Sequence, residues 1–311
     1  MKKGLRTVCS IALIGAFAFA SIASGSSSKT DETRQLVDST AAQDESSDGS
    51  QSGDDTRSSS DSNDFTIEEQ VLVDENGLKI TATGMTDDSI WGQGISLLIE
   101  NSSDTDYGVG CDALIVNDYM ITDLFSSQIT AGMNANETMY LSSTELDAAG
   151  IDKIGKIEID FRIYDTSTYM TIFDPDTVTI ETSLYNEMDT EPDDSGIELY
   201  NANDIRIIGK YVDENSFWGA GILLYIENNS DVNITVQCES IAVNGFMVDG
   251  LLSCEVYSDR RAIDDITLFS SDLEDNGITS IEDISLSFRI FNPDTYDQID
   301  TTEQITFSAA A

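Results

Sequence analysis

The chain has 311 residues and no histidine. That absence removes Ser-His-Asp and Cys-His catalysis, imidazole proton relays and the common zinc sites together. Cations are scarce as well: 15 Lys and Arg stand against 58 Asp and Glu, a formal net charge of −43. Gripping nucleic acid or an anionic bilayer requires phosphate neutralisation by Lys and Arg, so neither partner is expected. There are only 3 prolines and 4 cysteines. No phosphate-cradling glycine loop, nucleophile elbow or Ser-x-x-Lys motif occurs. No apolar run reaches the roughly 20 residues of a membrane span.

The N-terminus carries an address instead. Lys2, Lys3 and Arg6 precede an uncharged apolar run from Thr7 to Ile22, with small residues at Ala20, Ser21 and Ala23. This is the pattern of a secretory signal peptide over residues 1–23, so the chain is expected outside the cytoplasm or on the cell envelope. A lipoprotein would carry Cys at the cleavage point, but Ser24 stands there. Residues 24–65 are mostly Ser, Asp, Gly, Thr and Gln, with hardly an aliphatic residue. Such a segment cannot bury enough apolar surface to offset its ordering entropy, and the expectation is a disordered acidic spacer.

The rest of the chain repeats itself without a gap at an offset of 127 residues. Trp91-Gly92-x-Gly94-Ile95 returns as Trp218-Gly219-x-Gly221-Ile222, and Ile99-Glu100-Asn101 as Ile226-Glu227-Asn228. Cys111 returns as Cys238, Val116-Asn117 as Val243-Asn244, Phe161-Arg162-Ile163 as Phe288-Arg289-Ile290, and Thr168-Tyr169 as Thr295-Tyr296. A period of this size suits one domain per copy. The copies are placed at residues 66–185 and 196–311, joined by an acidic linker at 186–195 across which some relative motion is expected.

Each copy reads as strands. Ile284, Leu286, Phe288 and Ile290 alternate with polar residues, as do Ile157, Ile159, Phe161 and Ile163, a period of two with one apolar face. Asn244-Gly245 marks a type I′ hairpin, and Asn117-Asp118 holds the same place with a poorer second residue. Met120 to Ile129 reads as one strand. Ser271-Asp272-Leu273-Glu274 has capping-box spacing, with Gly277 placed to end a short helix. About seven short strands per copy point to an all-β chain of two tandem immunoglobulin-like antiparallel sandwiches.

The run Trp-Gly-x-Gly-Ile, Ile-Glu-Asn, Cys and Val-Asn, at Trp91 to Asp104 with Cys111 and at Trp218 to Asp231 with Cys238 and Val243-Asn244-Gly245, resembles uncharacterised immunoglobulin-like domains of Gram-positive secreted proteins and lipoproteins. The resemblance implies an extracytoplasmic sandwich and no assigned activity.

Several residues then stand out as structural. Trp91 and Trp218 sit in Gly-flanked turns and are expected to pack over a sandwich end; as exposed rings they would make a carbohydrate platform. Arg162 and Arg289 lie on the polar side of their strands and are expected to pair with neighbouring carboxylates. Cys111, Cys238 and Cys254 are expected to be free thiols, since Cys254 is matched by Ser127 and a plain hairpin puts Leu251 opposite Cys238. The pairs Asp87-Asp88, Asp104 with Asp106, and Asp174 with Asp176, together with Asp204, could feed a calcium site, but Asp is equally the ordinary residue of turns. The function expected is a non-catalytic binding or structural module whose partner is a protein or glycan at the cell surface or in the medium. The alternative is a carbohydrate-binding or carbohydrate-active secreted protein, calcium-stabilised or not.

Overall fold

The computed structural model describes residues 33–38, 65–88, 92–216 and 218–309. The signal segment, most of the 24–65 spacer and Trp91 lie outside the described residues. Among those described, nearly all regular structure is strand. The spacer contributes β1 (Thr33–Asp38). The first half follows with β2 (Gln70–Glu75), β3 (Leu78–Asp88), β4 (Gly92–Asn101), β5 (Tyr107–Val116), β6 (Tyr119–Ile121), β7 (Ser126–Ile129), β8 (Asn134–Tyr140), α1 (Ser143–Ala148), β9 (Lys156–Asp165), β10 (Thr171–Phe173) and β11 (Val178–Glu181). The second half has β12 (Ile197–Ala202), β13 (Ile205–Asp213), β14 (Gly219–Asn228), β15 (Ile234–Val243), β16 (Phe246–Val248), β17 (Gly250–Leu251), β18 (Ser253–Val256), β19 (Arg260–Phe269), α2 (Ser270–Asp275), β20 (Asp283–Phe291), β21 (Gln298–Thr301) and β22 (Ile305–Ala309). The starts of β4, β5, α1 and β9 recur 127 residues later as those of β14, β15, α2 and β20.

Each half is a sandwich of two facing antiparallel layers. In the first half the sheet β2-β3-β4-β8 faces a layer in which β9 is paired to β5, β10 and β11. Ile80, Leu97 and Ile99 from one layer meet Val109, Ile159 and Phe161 from the other in a single buried cluster. In the second half β12, β13, β14 and β19 face β15, β20 and β22, and the period-two residues Ile284, Leu286, Phe288 and Ile290 are all fully buried. The segment expected as one strand from Met120 to Ile129 divides into β6 and β7. Asp123 accepts a hydrogen bond from the Phe125 amide at 2.9 Å and turns the backbone out of the sheet between them.

Asparagines hold the turns. Asn101 and Asn228, both fully buried, are duplicates in detail. The Asn228 amide donates to the carbonyls of Val232 (2.9 Å) and Val256 (3.0 Å), while its oxygen accepts from the amide and hydroxyl of Ser230. Asn101 does the same with Thr105, Ile129 and Ser103. Asn117 and Asn244 clip the hairpins to the loops before β9 and β20. Both hairpins have two successive positive φ angles, 50° and 82° at Asn244-Gly245 and 47° and 70° at Asn117-Asp118, so the first half forms the tight turn without the glycine. The expected short helix exists as α2, ended by Gly277 at φ 67°, but no side chain caps it. In α1 the cap is made, by Ser142 to the Glu145 amide.

One expectation is corrected. The 24–65 spacer is not uniformly without structure, because β1 pairs antiparallel with β13 through residues 33–35 and with β22 through residues 36–38. Leu36 is buried in the second half's core, and the Arg34 guanidinium binds the Glu214 carboxylate (3.2 Å) and donates to the Ile281 carbonyl (2.7 Å). One aliphatic side chain at the right register and one Arg aimed at carbonyls suffice to dock a segment that is polar on average. The 186–195 segment lies along the second half: the Asp193 carboxylate meets Lys210 at 3.2 Å, the Lys210 ammonium donates to the Asp193 carbonyl, and Asp194 meets Arg206 at 2.6 Å.

Asn228→Ala strips two buried carbonyls and the Ser230 amide of their partners, and is expected to lower stability by about 3 kcal/mol in urea unfolding. Asn228→Asp, which keeps the acceptor and loses the donors, should also be destabilising; a change below about 0.5 kcal/mol for either would show that the clip is dispensable.

Candidate functional site

The polar chemistry of the chain gathers in two places, the junction between the halves and a pair of duplicated surface stacks.

At the junction, β6 runs parallel to the start of β19, with Tyr119 opposite Arg261 and Met120 opposite Ala262. Around this short pairing the outer faces of both halves are apolar. Ile208, Leu223, Tyr225 and Ile263 of the second half join the first half's core cluster, while Ala113, Ile115 and Met120 of the first join the second's. Charge surrounds the seam. Arg260 reaches Asp118 (3.0 Å) and Glu158 (3.3 Å), and Lys156 lies 2.6 Å and 3.0 Å from the same two carboxylates. Burial alone would raise the Asp118 carboxyl, yet the hydrogen bond and charge of Lys156 and the two arginines hold it below its ordinary value. Arg261 lies over the Tyr119 ring at 5.2 Å, and Tyr119 packs edge-on against Tyr225.

The same seam encloses acids that have no cation. Glu145 on α1 is buried and accepts from the Thr122 amide at 2.7 Å, while the Thr122 hydroxyl donates to Asp264 on β19 at 3.3 Å. One threonine thus bridges two carboxyl groups from opposite halves. Desolvation, and after it the charges of neighbouring acids, raises the Glu145 carboxyl well above its ordinary value and the Asp264 carboxyl to about 6. Asp123, away from these two and facing Asp112 and Arg162 of its own half, is also pushed up to about 6 by burial. A carboxyl with a raised pKa in an open cleft would be a general acid. Here Glu145 is buried and Asp264 half-buried, and the two are joined across the seam through Thr122. The described cleft of about 230 Å³ lies elsewhere, lined by residues that include Asn117, Gly150, Lys153, Glu187 and Asp189, and Lys153 spans it to Glu187 at 2.9 Å.

The surface stacks were not legible as a site. Tyr169 and its repeat mate Tyr296 are exposed, both at positive φ (57° and 60°), a conformation that bulky side chains rarely adopt. Tyr169 stacks on Tyr164 (5.9 Å, 22°), and Arg162 lies 5.4 Å over the other ring. Tyr296 stacks on Phe291 (6.2 Å, 14°), and Arg289 lies 4.8 Å over it. In each turn the side chain four residues before the Tyr gathers the following amides: Asp165 takes those of Ser167 and Thr168, Asn292 those of Asp294 and Thr295. The repeated Thr-Tyr pair was visible in the sequence; its left-handed backbone and the ring beneath it were not.

The other singled-out residues fall as follows. Arg162 does pair with a carboxylate, Asp112 at 3.3 Å on the neighbouring strand, whereas the partner Arg289 shows is the Phe291 ring. Trp218 keeps 53% of its surface and is not packed over the sandwich end as expected; its carbonyl accepts from the Ser270 amide in the turn entering β14. Cys111, Cys238 and Cys254 are unpaired, and the β15–β18 register sets Val236, not Cys238, opposite Cys254. Burial pushes the Cys238 thiol up to about 11 and raises Cys111 and Cys254 too. The Asp-rich turns serve the backbone, as where Asp106 accepts from the Ala131 amide, and among the described residues no group of three or more acids, cysteines or histidines is arranged to hold a metal. No described helix is long and apolar enough to cross a membrane.

No protein-family model and no curated protein matches the chain. Among solved structures, the Salmonella enterica SafA pilin in complex with the SafB chaperone aligns over 69% of this chain and 88% of that one, at 10% identity and TM-score 0.20. The Escherichia coli chaperone DraB aligns over 68% and 88% at 8% identity and TM-score 0.21, and the Pseudomonas aeruginosa CupB2 chaperone over 70% and 92% at 8% identity and TM-score 0.17. Superpositions this loose carry no argument about function.

Two outcomes are expected. In the unfolded chain Glu145 and Asp264 titrate near about 4, so the folded state holds protons that the unfolded state has released between about pH 4 and 6. The contribution of these two groups to stability should therefore be fully present below that window and be lost as pH rises through it. Asp264→Asn should flatten this slope and raise stability at pH 7 by on the order of 2 kcal/mol, read by urea unfolding at several pH values; an unchanged slope would remove the proton from the seam. Alkylation without reductant should label Cys111, Cys238 and Cys254 only slowly in the folded protein and completely in urea, and a single label in urea would reveal a disulfide.

Proposed function

We propose that the chain is an exported, non-catalytic binding and structural module of two immunoglobulin-like repeats, and that the tyrosine stacks form its recognition surface. One observation carries this reading: the same exposed ring, stacked on an aromatic that lies under an arginine at equivalent positions, is held at positive φ in both halves. Strained backbone is maintained by its surroundings and concentrates where a side chain must be presented. Two equivalent rings on one chain suit a repetitive partner, because the second contact forms at high effective concentration. The partner is taken to be a glycan or protein at the cell surface or in the medium.

The carbohydrate reading is favoured by a further exposed ring, Trp218. Aromatic faces bind sugars by stacking on their C–H surfaces, and a Tyr or Trp that stays exposed in the folded protein is the side chain such binding needs. A glycan array and pull-downs from protease-treated and untreated envelope fractions separate the two kinds of partner. The double variant Tyr169→Ala/Tyr296→Ala is expected to lose at least about ten-fold in binding with little change in melting temperature. Binding indifferent to both tyrosines would remove the stacks from the recognition surface, and turnover of any polymer by the pure protein would overturn the non-catalytic reading.

A further inference from the structure

The contact that joins the two halves has an unused copy at each end of the molecule. The first half's donor strand β6 buries Tyr119 and Met120, 4% and 6% exposed, against β19. The repeat mates of these residues, Phe246 and Met247 on β16, are 50% and 68% exposed, and among the described residues β16 is paired only to β15. The acceptor is duplicated too. Arg260, Arg261 and Ala262, which receive β6, correspond to Met133, Asn134 and Ala135 at the start of β8. That strand is the outer strand of the sheet β2-β3-β4-β8, and Met133 is 60% exposed.

We propose that the chain associates head to tail with further copies of itself, β16 of one molecule docking beside β8 of the next as β6 docks beside β19 within one chain. The proposal rests on the reading of the chain as a structural module. What commits the surface to a second copy is that both sides of the contact change together. Arg260 and Lys156 meet Asp118 and Glu158 inside the chain; the corresponding residues are Met133, Asp283, Gly245 and Ser285, so both cations and both of these anions are gone and one carboxylate, Asp283, stands in place of Lys156. Tyr257 donates to Asp160 at 3.2 Å across the seam, and its mates are Thr130 and Ser287, again a polar pair without charge. Tyr119 packs on Tyr225, and the mates Phe246 and Leu98 are still an aromatic with an apolar side chain. Leu223 and Ile263 lie where α1, carrying Ala148 and Ala149, meets β14 and β19; their mates Ser96 and Asn136 would face Asp275 and Asn276. A foreign partner would give no reason for Met133, beside β8, to replace an arginine where Gly245 and Ser285, beside β16, replace carboxylates.

The second contact is therefore less apolar than the first and lacks its covalent tether, so it should be weak and reversible. It joins two different surfaces, and a heterologous contact of this kind extends as an open chain unless its rotation closes a ring. The net charge of −43 opposes it, and since no ion pair is involved, salt should strengthen association by screening.

Sedimentation velocity of the purified chain, from about 10 µM to about 1 mM in 0.05 M and 0.5 M NaCl, tests this. Species beyond the dimer should grow with concentration, and more at the higher salt. Phe246→Asp and Met133→Glu should each weaken assembly at least about ten-fold without lowering the melting temperature, both sites being exposed. The deciding arm mixes the two variants: each keeps one good surface, so together they should form a 1:1 dimer and nothing larger. Monomer under all conditions, assembly unaffected by either variant, or a mixture that fails to pair would overturn the proposal. Tyr169→Ala/Tyr296→Ala should assemble normally, so failure of the recognition reading and failure of this one are read separately.

Discussion

The structure depends on a two-residue parallel strand pairing. Tyr119 and Met120 against Arg261 and Ala262 form a small contact, yet it ties a layer of the first half to a layer of the second as one continuous hydrogen-bonded sheet. Everything near it follows from having to cover the outer faces of both halves. Leu223, Tyr225 and Ile263 point away from their own sandwich core, and Ile115 and Met120 away from theirs. Left in water, such faces would be apolar patches larger than a monomeric domain usually tolerates. The seam is thus a third core, built from side chains that a single-domain pattern would assign to solvent.

That explains which parts of the fold were legible in the sequence. A strand with one buried face writes its pattern at a period of two, as β20 does, and the hairpin at Asn244-Gly245 writes its own in φ-tolerant residues. A strand buried on both faces writes no alternation: β14 is buried almost throughout, and periodicity alone cannot say against what. The seam was for that reason invisible, and the acidic 186–195 segment looked like a hinge. β1 was missed for the opposite reason, since Leu36 and Arg34 are too few to lift a polar spacer above its average composition. At the candidate site the repeated Thr-Tyr pair could be aligned, but the ring stack depends on φ at Tyr169 and Tyr296, which spacing does not encode. Trp218 misled because Gly-flanked tryptophans are usually read as core.

Scarcity of cations organises the electrostatics. Every Lys and Arg among the described residues is in an ion pair or over an aromatic ring. Several of them stand where one segment must be held to another: Arg34 where β1 joins the second half, Lys210 and Arg206 at the 186–195 segment, Lys156 and Arg260 at the seam. Exposed pairs contribute little on their own, but at partly buried seams a lone cation among carboxylates relieves repulsion from several sides at once. In a chain this acidic, cations act as fasteners more than as ligand contacts.

The seam also holds what the fasteners do not reach. Glu145 and Asp264 are acids at the junction whose carboxyls are both raised, and a protonated carboxyl is a neutral donor that can be buried at far lower cost than a carboxylate. The cation-bound side of the seam is served by ion pairs that persist at neutral pH, and the acid side by groups that prefer to be neutral. As pH rises the second set becomes a liability while the first is unchanged. The two sides of the junction therefore answer pH in opposite senses, Asp118 beside Lys156 and Arg260 favouring the charged form and Glu145 and Asp264 the neutral one.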